Sequence, residues 1–158
     1  MCAIFASHDF AEFDRLYRAC QQRGNAATSY LLIPSSTTTL PFGSTIGRYR
    51  GLVNLYAEIH EAFQNMTKFF VGHVQAPTST AQTFNQNTTH PFMHGEWIVA
   101  HNGVLTNFDE LKPLVSESSY NQVDSSIIPA LICKEAANKP GMSEVSWISE
   151  TLDRKSTR

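Results

Sequence analysis

Short apolar, β-branched runs alternate along this chain with longer runs whose apolar residues recur every three or four positions. That alternation restricts the chain to a mixed α and β fold with a core between sheet and helix. Residues 2–6 read as a short buried strand. Phe10 to Arg23, apolar at 10, 13, 16, 17 and 20 and closed by Gly24, predicts a helix. Thr28 to Ile33 predicts a strand stopped by Pro34 and a Ser/Thr tract. The three glycines and two arginines of 40–51 predict a loop. Leu52 to Phe63 predicts a helix and Lys68 to Val74 a strand. The polar stretch Ala76 to Thr89 predicts an exposed loop, and Trp97 to Ala100 a strand that breaks at Asn102-Gly103. A helix is expected from about Asn107, capped by that residue with Glu110 three positions on. Another is expected over Ser125 to Ala137 with Asp124 or Ser125 at its start, and a last one over 143–153.

With 158 residues the chain can bury a sizeable core as one domain, and its 42% hydrophobic and 16% charged content is globular. A net charge of −2 without a basic run excludes nucleic acid and anionic membranes as main partners. No apolar stretch reaches the length of a membrane span, and the N-terminus lacks the layout of a secretory signal. Three cysteines, at 2, 20 and 133, give neither a disulfide framework nor zinc-ligand spacing, so a reducing, cytoplasmic setting is inferred. Cys20 falls on a helical apolar stripe and Cys133 within a predicted helix, so both read as packing residues. Neither GxGxxG nor GxxxxGK[ST] occurs, and no cofactor is expected. His90 and His94 are four apart, but the intervening Pro91 argues against a shared helical face and a metal site.

Cys2 stands directly behind Met1. Removing Met1 would place a thiol and a free α-amine on one residue, a nucleophile with its own base. An α-amine has a pKa of about 7.7–8.0, so it is partly unprotonated near neutral pH. Taken alone, Cys2 reads as a small buried strand residue, and Asn102-Gly103 as a plain hairpin turn. Four further segments bear on it: Arg23-Gly24-Asn25-Ala26; Gly72-His73-Val74-Gln75-Ala76-Pro77-Thr78; Thr89-His90-Pro91-Phe92 leading into Ala100-His101-Asn102-Gly103-Val104-Leu105-Thr106-Asn107; and Val123-Asp124-Ser125-Ser126.

In this order and spacing, residues 2 to about 135 resemble a class II glutamine amidotransferase domain. The resemblance implies an α+β fold, the four-layer αββα Ntn-hydrolase sandwich, here C-terminally shortened, with residues 2–158 forming a single domain whose C-terminal strands are missing. It implies that Cys2 attacks the side-chain amide of glutamine, releasing ammonia and leaving a thioester. The Asn102 side-chain amide and the Gly103 N–H would hold the oxyanion. Asp124 would hold the substrate α-ammonium, with Gln75, Thr78 and His90 completing the substrate set and His73 and His101 serving structurally. Asp124 also reads as a plain helix N-cap. The partners implied are glutamine or a related small amide and a separate ammonia-accepting synthase subunit.

Two positions depart from the pattern. Gln75 stands where the family carries an arginine that grips the substrate carboxylate, so the clamp would have to come from Arg48 or Arg50. Ala3 replaces the usual glycine after the nucleophile. Two alternatives therefore stand beside glutaminase activity: an Ntn amidohydrolase for another amide, and a catalytically weakened binding or regulatory subunit.

Overall fold

A computed structural model describes residues 1–35, 43–77 and 83–138. The chain divides into two compact units, residues 1–91 with 100–102, and residues 92–99 with 103–158. The predicted helix at 143–153 and the site candidate Thr78 lie outside the described residues.

The first unit is built on a four-stranded antiparallel sheet in the order β1-β4-β2-β3, formed by β1 Ala3–Ser7, β2 Ala27–Pro34, β3 Thr45–Arg50 and β4 Thr67–Gln75. Helix α1, Phe10–Cys20, starts where the Asp9 carboxylate accepts from the Glu12 N–H at 2.7 Å, a local N-cap. Side chains alternate across a strand, so register divides each strand between two faces. Ala3, Phe5, Val74, Phe70, Tyr30, Leu32 and Tyr49 share one face and pack with Phe10, Phe13 and Tyr17 of α1. Across that face runs the row Phe5, Gly72, Tyr30, Gly47. A Cβ at Gly72 would meet the Phe5 ring at 2.3 Å, and one at Gly47 the Tyr30 ring at 2.3 Å. Each ring thus occupies the space its glycine neighbour leaves. The other face carries Ile4, His73, Ser29 and Arg48 in one row and Gln75, Ala27 and Arg50 in the next.

Two expectations are corrected here. Residues 45–50 form β3, not a loop. Their period-two pattern is hidden because Gly47 is required under Tyr30 and because Arg48 and Tyr49 find polar partners. The helix expected over 52–63 is two short ones, α2 Leu55–Glu58 and α3 Glu61–Met66. Ile59 leaves α2 in an extended conformation, and His60 restarts the chain by accepting from the Ala62 N–H.

The second unit contains the hairpin β5 Phe92–His94 and β6 Trp97–Val99, turned at Gly95 with φ +59. Helix α5, Ile128–Asn138, packs Ile128 and Ile132 against Trp97, Val99 and Leu105. Short helix α4, Phe108–Leu111, joins Ile127 and Leu131 in a second cluster. Asn107 is the N-cap of α4, but its side chain makes no capping bond, so the expected capping box is absent. Likewise α5 does not begin at Ser125: Asp124–Ile127 form a 3-10 turn ahead of it. No helix among the described residues is long and apolar enough to cross a membrane.

Candidate active site

Cys2 immediately precedes β1, half-buried, with its Sγ 3.8 Å from the Ala76 carbonyl. Its own carbonyl is held from two directions. The Asn102 side-chain amide donates to it at 3.0 Å and the Arg23 guanidinium at 3.2 Å. A charge-assisted and a neutral bond on one carbonyl fix the backbone at the base of the thiol. Met1 is 83% exposed, and its Sδ lies 3.9 Å from Arg23 Nη2.

Arg23 and Gly24 reach the site because the chain leaves α1 and crosses the end of β4. A Cβ on Gly24 would stand 2.7 Å from the Gln75 carbonyl carbon and 2.9 Å from the Ala76 nitrogen. Only glycine permits that approach. The Ala26 N–H then donates to the Gln75 carbonyl at 2.9 Å, so segments 23–26 and 75–76 are locked together beside Cys2.

Gln75 is buried, and its side-chain oxygen lies 3.3 Å from His90 Nδ1. His90 stacks on His73 with ring centroids 4.4 Å apart. Burial holds the His90 imidazolium down to a pKa of about 3, with the neighbouring charges of His73, His101 and Arg48 adding to it. Burial likewise lowers His73 to about 4. Both rings are therefore neutral at physiological pH.

Arg48 does not swing free. Its Nε donates to the Thr89 carbonyl at 3.0 Å and its Nη2 to the Pro91 carbonyl, and burial lowers its pKa. Arg50 is exposed on the same face, in the row of Ala27 and Gln75. In the second unit, Asp124 accepts a hydrogen bond from the Leu105 N–H at 2.5 Å, tying the 3-10 turn to the Leu105-Thr106-Asn107 segment. Gly103 belongs to this second unit.

The structure thus brings Cys2, Asn102, Gln75 and His90 into the first unit, with Asp124 anchored in the second. Sequence reasoning quoted Arg23 only as part of a segment and missed its contact with the Cys2 carbonyl. It also missed the Arg48 fork on the loop around His90. Among the described residues no group of three or more His, Cys, Asp or Glu side chains could hold a metal ion.

Two solved structures share this architecture. One, the allosteric regulatory enzyme of purine biosynthesis, superposes with a TM-score of 0.65 at 19% identity, covering 98% of this chain and 33% of that one. The other, glutamine phosphoribosylpyrophosphate amidotransferase from B. subtilis, gives 0.64 at 17% identity over 97% of this chain and 32% of that one. The chain has the fold shared by these two structures. In sequence, 93 residues are 30% identical to glutamine–fructose-6-phosphate aminotransferase (isomerizing) of Methanococcus maripaludis, covering 56% of this chain and 16% of that protein. No family model matches the chain. The chain spans about a third of the solved chains and about a sixth of the curated relative that it matches.

Proposed function

We propose that residues 2–158 are a glutamine amidotransferase domain in which Cys2, exposed by removal of Met1, hydrolyses the side-chain amide of glutamine. The observation that carries this reading is the Asn102 amide bonded to the Cys2 carbonyl across a hundred residues of sequence, in a chain with the amidotransferase fold. While Met1 is attached, the Cys2 nitrogen is a peptide amide. Removing Met1 creates the amine that serves as base, acting through a water. The thiolate attacks the amide carbon, and the tetrahedral adduct expels ammonia with the proton taken from sulfur. Water then cleaves the Cys2 thioester to give glutamate and the free thiol.

A primary amide has two N–H donors. One from Asn102 holds the Cys2 carbonyl, which leaves the second for the oxyanion, with the Gly103 N–H as the partner donor that the resemblance supplies. Asp124 is proposed to hold the substrate α-ammonium, and Gln75, Thr78 and His90 to complete the substrate set. Ammonia would pass to a separate synthase.

The purified chain lacking Met1, incubated with glutamine, should release glutamate and ammonia in equal amounts, and Cys2→Ala should release neither. Equal release by both proteins would sink the proposal.

Gln75 favours a second reading, hydrolysis of an amide without an α-carboxylate. It is neutral, buried and engaged by His90, so it cannot act as a guanidinium clamp. A preference for free glutamine over such amides would eliminate that alternative.

A further inference from the structure

We propose that Arg48 is a positioning residue for this site, a strut that fixes His90 rather than a ligand of the substrate. The proposal rests on the glutaminase reading for its consequence in turnover, and on geometry alone for the strut itself. The Arg48 guanidinium forks across the carbonyls of Thr89 and Pro91, the residues on either side of His90. A planar fork can hold two acceptors in fixed relation, which an ammonium cannot. Thr89 and His90 are themselves 2% and 3% exposed, so the loop presses into the polar face of the sheet. From there His90 meets Gln75 and stacks on His73, both on β4, the strand paired with β1 behind Cys2.

The charge pattern agrees. Ion pairs among the described residues include Arg15–Glu12, Arg18–Asp14 and Lys112–Asp109. Arg48 takes part in none of them, and backbone carbonyls of Thr89 and Pro91 accept from its half-buried guanidinium. Register explains how it gets there. Arg48 lies directly across from Ser29, which lies across from His73, so the three stand in one row on one face. Ser29 is small enough to let the guanidinium extend along the sheet toward the loop.

Arg48→Lys keeps the charge and loses the fork, and Arg48→Met loses both. Each is compared with the wild-type chain lacking Met1, after circular dichroism has shown that the variant is folded. Imidazole nitrogen NMR on the same samples reports the His90 ring. In Arg48→Lys the His90 resonances should shift and broaden, and kcat should fall on the order of ten- to a hundredfold with KM nearly constant. The loss should be the same for glutamine and for an amide lacking the α-carboxylate. A rise in KM for glutamine alone, with kcat intact, would show that Arg48 is a substrate clamp and overturn the strut. Unshifted His90 resonances in Arg48→Lys would overturn it as well, even if Arg48→Met fails to fold. If the wild-type chain hydrolyses neither amide but the resonances still move, the glutaminase reading fails and the strut stands.

Discussion

Replacing Gly24 by alanine separates steric from entropic effects, because the two have opposite signs at this position. Alanine restricts the unfolded chain more than glycine and, at a site with compatible backbone, stabilises by about 0.4–1 kcal/mol. Gly24 has no positive φ, so that gain is available in principle. The added Cβ would stand 2.7 Å from the Gln75 carbonyl carbon, 2.9 Å from the Ala76 nitrogen and 3.0 Å from the Gln75 nitrogen. These are main-chain atoms, pinned by the β4 ladder and by the Ala26 bond to the Gln75 carbonyl. No side-chain rotation relieves them. Overpacking of this kind costs about 1–3 kcal/mol, so the net effect is a loss of about 1–2 kcal/mol. With a urea m-value of about 2 kcal/mol/M, the unfolding midpoint should drop by about 0.5–1 M at unchanged m. Gly51→Ala is the control: φ +78 penalises alanine there, yet nothing lies within 4 Å of the new methyl. The Cys2 sulfur contacts the Ala76 carbonyl, so only Gly24→Ala should alter the rate at which Cys2 is alkylated. A Gly24→Ala protein as stable as the wild type, with unchanged alkylation, would refute the argument.

Acid should act through the histidine pair. An unfolded histidine titrates near a pKa of about 6.5, whereas His73 and His90 are held at about 4 and about 3 in the folded chain. The unfolded state therefore binds more protons below pH 6.5. This contribution to stability is complete above that pH and is lost as pH falls toward 4, by about 1.4 kcal/mol per pH unit for each proton. Urea midpoints measured from pH 7 to 4.5 should fall accordingly, and His73→Gln should flatten the profile. An equal slope in that variant would contradict the burial argument. Asp124→Asn retains an oxygen for the Leu105 N–H but loses the negative charge. It should leave the midpoint nearly unchanged while raising KM for glutamine about tenfold or more, as expected for a lost charge-assisted contact. An unchanged KM would remove Asp124 from the substrate set.

How much of this was legible in advance depended on how local the governing interactions are. Helix α1 followed from its apolar spacing, and β1, β2 and β4 from their composition, because each buries a simple stripe against the others. Strand β3 was not legible. Its glycine and arginines look like loop residues until Tyr30 and the carbonyls around His90 are placed beside them. The hairpin strand β5 escaped for a similar reason, since three residues carry too little periodicity to register. In the site, Cys2 and Asn102 could be paired through the family pattern. The grip of Arg23 on the Cys2 carbonyl could not, because it depends on how α1 ends and where Gly24 crosses β4.

The double hold on the Cys2 carbonyl also determines what can be exchanged there. Both anchors grasp the main chain, so neither depends on what the side chain is. A serine or threonine at position 2 would inherit the same seat, with only its intrinsic reactivity altered. In this design the side chain at position 2 is an interchangeable cartridge, and the mount is built from Arg23 and Asn102.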